Sequence, residues 1–229
     1  MSKFLDNFGI LSHRRSGTHF LWETLNVNFD IRKPDWYLKV EGVEAFKAHC
    51  APDQVSQFFG KDLDKFLLDY SCVYIMRDVR DTLVAAWYYW KAGAESNLDI
   101  SKALKGKSFS QYIRGASIEE TLSYNIDINS LWAKNYLDPI QYWIDFTKWS
   151  GYVHTIKFED LKLKPKKVIK DFSDKFDLET KNKEYALINK LVGNLPRKGI
   201  IGDWRNIINE GDRKYIYSRA GEVMTSFGY

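Results

Sequence analysis

Apolar residues in this chain gather in short unbroken runs, each ending in a charged loop and followed by a stripe of helical period. The first run is Phe8-Gly9-Ile10-Leu11. It enters Ser12-His13-Arg14-Arg15-Ser16-Gly17-Thr18-His19 and leaves on Phe20-Leu21-x-x-Thr24-Leu25. The second, Cys72-Val73-Tyr74-Ile75-Met76, ends at Arg77-Asp78-Val79-Arg80-Asp81 and passes into a helix with Leu83, Ala86, Trp87 and Trp90 on one face. The third, Tyr152-Val153-His154-Thr155-Ile156, leads through Lys157-Phe158-Glu159-Asp160 to a helix opened by Pro165, with Val168, Ile169, Phe172 and Phe176 as its apolar stripe. Continuous apolar strands are those of a buried parallel sheet. Strands alternating with helices build right-handed βαβ units. The pattern predicts an α/β fold: a parallel β-sheet flanked by helices, with ligands gathered at the carboxyl ends of the strands.

Two long aromatic-rich segments, Asp30 to Asp69 and Lys91 to Gly151, read as helical cover over those strand ends. Leu131, Trp132 and Tyr136 mark one stretch and Trp143, Ile144 and Phe146 another. A last helix carries Tyr215, Ile216, Ala220, Val223 and Phe227. No repeat or low-complexity linker interrupts the 229 residues, so residues 1–229 are expected to form a single domain.

Composition narrows the partners. Hydrophobic residues make up 45% of the chain, too many for disorder, yet no apolar run reaches the length of a membrane span. The first strand begins almost at once, leaving no room for a signal peptide, and there are only two cysteines, Cys50 and Cys72. A cytoplasmic protein with reduced thiols is expected. A net charge of +4 permits an anionic ligand and falls short of a nucleic-acid binder. The lysine run from Lys162 to Lys170 reads as a solvated helix start. A small-molecule partner is therefore expected, with no nucleic acid and no membrane; oligomeric state stays open.

The opening loop carries the chemistry. At a strand-loop-helix junction, the backbone N–H groups of Ser16 to His19 point out of a helix start, and the arginines beside them favour an anion. The nucleotide-binding P-loop needs a lysine directly after its second glycine. Here Thr18 follows Gly17, and Arg15 stands two residues before it. Near the end, Arg197-Lys198-Gly199-Ile200-Ile201-Gly202-Asp203-Trp204 forms a second loop able to wrap an anion with backbone amides.

Four segments in this order resemble the sulfotransferases that use 3′-phosphoadenosine-5′-phosphosulfate (PAPS). Arg14-Arg15-Ser16-Gly17-Thr18-His19-Phe20 looks like their 5′-phosphosulfate loop, usually Pro-Lys-Ser-Gly-Thr-Thr-Trp. Arg77-Asp78-Val79-Arg80-Asp81 resembles their 3′-phosphate motif. Phe158-Glu159-Asp160-Leu161 is similar to Tyr-Glu-Asp-Met, and the Arg197 to Trp204 segment matches their C-terminal signature. A shorter match, Lys47-Ala48-His49-Cys50-Ala51-Pro52, looks like Lys-Thr-His-x-x-Pro, whose histidine is the catalytic base.

The resemblance implies a P-loop NTPase-like sulfotransferase fold and a metal-independent enzyme. It would move a sulfuryl group from PAPS to a hydroxyl or an amine by in-line displacement, leaving adenosine 3′,5′-bisphosphate. His49 would take the acceptor's proton, Lys47 neutralise the sulfuryl oxygens, and Arg15 with the Ser16–His19 amides stabilise the departing phosphate. Arg14 through Phe20 would line the cofactor, with Phe20 on the adenine. Arg77, Arg197, Lys198 and Gly199 would hold the 3′-phosphate. Tyr89, Trp36 and Tyr37 are the candidate acceptor contacts. Three positions depart from the family: Arg15 stands for a lysine, Ala85 for a serine and Phe158 for a tyrosine. The competing readings are a P-loop kinase-like phosphotransferase and a non-enzymatic nucleic-acid-binding module.

Overall fold

The computed structural model describes residues 7–31, 34–36, 45–49, 52–92, 111, 114, 115, 118, 139–181, 185, 186 and 199–229. Its contacts fall into two compact units, Met1–Arg77 with Phe146–Val192 and Asp78–Asp145 with Gly193–Tyr229.

The first unit holds the sheet. Five strands, β1 (Phe8–Ser12), β2 (Asp35–Trp36), β3 (Ala45–Ala48), β4 (Ser71–Met76) and β5 (His154–Lys157), lie in the order β2-β3-β1-β4-β5. Every adjacent pair is parallel. Central β1 is buried at all five positions, which is why it reads as an unbroken apolar run. Its glycine meets a specific need. Gly9 pairs with Phe46 of β3, and a Cβ on it would stand 2.8 Å from Phe46 Cε1. The helices here are α1 (Thr18–Asn28), α2 (Pro52–Phe58), α3 (Leu63–Asp69), α6 (Phe158–Leu163) and α7 (Pro165–Phe176). Phe172 of α7 meets Phe8 at 6.0 Å and Phe29 at 5.2 Å between ring centroids, closing one face of the sheet. Phe46, Phe59, Phe66 and Tyr70 form a second aromatic cluster. On α7 the lysines alternate with aspartates one turn on: Lys167 with Asp171, Lys170 with Asp174, both at 2.5 Å and exposed. That face is a solvated one, as its sequence predicts.

The second unit contains α4 (Val79–Lys91), α8 (Trp204–Ile207) and α9 (Glu210–Ser226). Helix α5 (Pro139–Thr147) spans the sequence boundary between the units. The buried Asp81 carboxylate accepts the backbone N–H of Gly202 at 2.6 Å and of Trp204 at 3.1 Å. It thereby ties the C-terminal loop to the first turn of α4. Three guanidinium groups surround the Trp204 indole, Arg80 at 4.0 Å, Arg205 at 4.5 Å and Arg213 at 5.2 Å from its centroid. Between α8 and α9 lies a mostly apolar cavity of about 380 Å³, lined by Trp204, Ile216, Tyr217 and Met224 among others.

The sheet differs from the sequence reading in three places. The Asp30 to Asp69 segment, expected to be helical, contains β2 and β3 before α2 and α3. Two and four residues are too short to display a period of two, and β3 is buried at every position. The β5 strand starts at His154 rather than Tyr152, because turns occupy the preceding residues. Tyr152 N donates to Trp149 O at 3.0 Å there, and the Tyr152 side chain is 69% exposed. Finally, Phe158–Leu163 is a short helix where a connecting loop was expected. Leu131, Trp132 and Tyr136 lie outside the described residues. Among the described residues no helix is long and apolar enough to cross a membrane.

Candidate active site

Parallel register brings the carboxyl ends of three neighbouring strands together. Leu11 of β1 is opposite Ala48 of β3, and Ser12 is opposite Ile75 of β4. The chain therefore emerges side by side as His49 after β3, the His13–Gly17 loop after β1, and Arg77 after β4.

The loop is shaped by two left-handed residues, Arg15 at φ 65° and Gly17 at φ 106°. A non-glycine residue in that region is strained and persists only when its surroundings hold it. Here the Ser16 hydroxyl donates to the His13 carbonyl at 2.7 Å, with the Ser16 amide on the same oxygen at 3.4 Å. Arg77 Nη1 donates to the Arg15 carbonyl at 3.3 Å. Gly17 has a second reason to be glycine: a Cβ would stand 2.9 Å from Phe158 Cε2 and closer still to Cδ2. The Phe158 ring is a hub. It takes the Arg77 guanidinium at 4.6 Å, Lys162 Nζ at 5.8 Å and the edge of Phe20 at 5.9 Å.

Cations crowd this corner. Lys47 and Arg77 are each only 6% exposed. Burial lowers the pKa of His19, and the charges of Lys47 and Arg15 lower it further, with Glu23 opposing them. Burial pushes the His49 imidazole down to about 3, helped by Arg14, His19 and Arg15 and opposed by a hydrogen bond to the Ser12 backbone. The fully buried His13, 3.3 Å from the Tyr74 hydroxyl, is lowered by burial and by His49 and Arg77. An imidazole that titrates near neutrality is the sequence expectation; in this cation-rich corner His49 is neutral far below that.

The charges of Lys47 and Arg15 thus reach His19, and those of Arg14, Arg15 and His19 reach His49, with Arg77 bonded into the loop. Ser16, Gly17 and Thr18 form the loop's end and the first residue of α1, and Phe20 is half-buried beside them. Trp36 is paired by its backbone with Lys47 across β2 and β3. Tyr89 lies half-buried on α4, in the second unit. Gly199 is described, with φ 58°. Arg197, Lys198, Tyr37 and Cys50 lie outside the described residues. Cys72 is buried, its thiol pushed up to about 12 by that burial, and is inert.

Sequence reasoning missed three side chains. Ser12, fully buried, sits 2.7 Å from Thr18 Oγ1 and 2.8 Å from His49 Nδ1. Its position as the last residue of β1 was the available signal. Asp81 was quoted within its motif with no role. Lys162, whose pKa is lowered by burial and by Arg77, was absorbed into the solvated lysine run. Among the described residues no group of three His, Cys, Asp or Glu gathers as a metal site.

Comparison with known proteins identifies the family and the fold. Residues 5–228 match the family described as "Sulfotransferase domain". Among solved structures, the mouse sulfotransferase SULT7A1 complexed with PAP superposes with a TM-score of 0.60 at 17% identity, covering 96% of this chain and 84% of that one. Retinol dehydratase in complex with androsterone and inactive cofactor PAP follows with a TM-score of 0.52 at 12% identity, covering 95% and 80%. Both share the α/β fold, a parallel sheet with flanking helices. No curated protein matches the sequence. With nearly its whole length inside the family match, the chain belongs to the sulfotransferase family.

Proposed function

We propose that this sulfotransferase carries the sulfuryl group of PAPS to a hydroxyl or amine of a small-molecule acceptor, with His49 as the base. The observation that supports this reading best is the cradle itself. Two buried cations, Lys47 and Arg77, flank a positive-φ loop whose amides open at the start of α1. Such a corner fits a bound anion better than any neutral ligand. When bound, PAPS supplies the activated sulfuryl group.

The chain's own residues do the rest. Arg15 and the amides of Ser16, Gly17, Thr18 and His19 stabilise charge building on the departing 5′-phosphate, with Arg14 beside them. Lys47 faces the sulfuryl oxygens. Arg77, Arg197, Lys198 and Gly199 hold the 3′-phosphate, and Phe20 packs on the adenine. His49 is held in the neutral form, the form of an imidazole that can accept a proton. The cations that depress its pKa are the ones an anion in the cradle offsets, so filling the cradle raises it toward the range of a useful base. Tyr89, Trp36 and Tyr37 meet the acceptor. Both compact units serve one domain, working in the cytoplasm. Adenosine 3′,5′-bisphosphate and androsterone sit in the comparison structures, which favours a small organic acceptor.

The test has two parts. Adenosine 3′,5′-bisphosphate should raise the melting temperature, and adenosine 5′-phosphate far less, by mass action on the folded state. Incubation with PAPS and a panel of phenols, sterols and amines, read by mass spectrometry, should then reveal an added sulfuryl group. Equal thermal shifts from the two nucleotides would remove the 3′-phosphate assignment.

A further inference from the structure

The lysine run from Lys162 to Lys170 divides in the fold. Lys164 pairs with Asp160, Lys167 with Asp171 and Lys170 with Asp174, each one helical turn away. Lys162 turns elsewhere. It stands four residues after Phe158 on α6, on the same side of the helix, and its Nζ lies 5.8 Å from the centre of the Phe158 ring. The Arg77 guanidinium lies 4.6 Å from the centre of that same ring. One aromatic hub thus gathers two cations, one from the carboxyl end of β4 and one from the helix after β5. Burial lowers the Lys162 pKa, and the charge of Arg77 lowers it further, so the two cations repel.

The ring attracts each cation through its quadrupole, but it has no net charge and leaves their mutual repulsion in place. An anion that meets both removes it. We propose that Lys162 joins Arg77 in holding the 3′-phosphate of the cofactor. A phosphate monoester carries close to two negative charges at neutral pH and three acceptor oxygens, enough for both groups. Arg77 offers a flat fork of donors, and Lys162 a point charge on a flexible stem that can close on the phosphate as it arrives. At the loop, Lys47 and Arg15 weigh on His19, whereas Arg77 weighs on Lys162, which is why the 3′ side is assigned. The inference rests on the reading of Arg77 as a 3′-phosphate ligand.

Calorimetric titration with adenosine 3′,5′-bisphosphate and with adenosine 5′-phosphate tests it without turnover. Lys162 is exposed, so Lys162→Met should melt within about 2 °C of wild type in the absence of ligand. Its affinity for the bisphosphate should fall about 5–20-fold, the worth of one charge-assisted hydrogen bond at a partly solvated site. Affinity for adenosine 5′-phosphate should stay within about twofold, and Lys162→Arg should restore the bisphosphate. Lys164→Met, with the same change of charge, should bind both nucleotides as wild type does. In lysine-labelled wild type, the bisphosphate should raise the pKa of the Lys162 amine, its NMR signal being assigned by loss in Lys162→Arg. A Lys162→Met protein that binds the bisphosphate normally, or a Lys162 signal that the ligand leaves unmoved, would overturn the inference. Equal losses for the two nucleotides would do the same, since they mean a charge acting at a distance. Wild-type protein that does not bind the bisphosphate at all would instead remove the cofactor reading itself, and this inference with it.

Discussion

Replacing Gly17 by alanine attacks the cradle from two sides, and the two can be separated. At φ 106° an L-residue is strained, costing about 1–3 kcal/mol. The new Cβ also enters the Phe158 ring, 2.9 Å from Cε2 and closer to Cδ2, and forcing a buried ring aside costs about 1–3 kcal/mol more. Gly17→Ala should therefore lose roughly 2–6 kcal/mol in urea unfolding, read as a lower midpoint with an unchanged m-value. Phe158→Val removes the ring atoms that the methyl would meet. In that background Gly17→Ala should cost only the backbone share, so the double-mutant cycle should return a coupling of about 1–3 kcal/mol. Affinity for adenosine 3′,5′-bisphosphate should fall as well, because the displaced ring carries the Arg77 guanidinium at 4.6 Å. A Gly17→Ala protein within 0.5 kcal/mol of wild type, or additive energies in the cycle, would refute this account of the loop.

Two further outcomes follow from the charges. His13 and His49 have folded pKa values below the ordinary imidazole 6.5, so the unfolded chain binds more protons as pH falls below 6.5. Stability is full above that pH and is lost below it, by about 1–3 kcal/mol between pH 7.5 and 5.5; a flat urea midpoint across that range would contradict the burial of these rings. Arg15→Ala should lose much of kcat and some cofactor affinity, while Arg15→Lys keeps activity, since either cation stabilises a departing phosphate; normal turnover in Arg15→Ala would give the loop another job.

What the sequence made legible is what buried parallel architecture writes plainly. The β1 and β4 strands are apolar but for one terminal serine each, and the strand-loop-helix grammar put Arg15 and Arg77 at the carboxyl edge. Four ordered motifs then named a family that residues 5–228 match. The β3 strand escaped because four residues buried on both faces carry no alternation, although its Lys47-Ala48-His49 segment had been noticed for chemistry. Ser12, Asp81 and the contacts of Phe158 escaped for a different reason. Their importance lies in partners far along the chain: Ser12 with His49, Asp81 with Gly202 and Trp204, Phe158 with Gly17 and Arg77. Pattern along a sequence reports the face a residue turns inward, not which distant atom it meets. The low His49 pKa was equally hidden, since it sums burial with charges from three separate residues.

The strand order has a consequence for synthesis. β4 forms beside β1 early, but its other neighbour, β5, lies far downstream across the whole of residues 78–145. At ribosomal speeds of about 5–20 residues per second, that gap of roughly eighty residues holds the Val73–Met76 edge open for about 4–16 s. During that interval a nascent chain presents a buried-type apolar strand with one unpaired side, the template that recruits stray strands. Cover over that edge until β5 is made should therefore raise the yield of native protein.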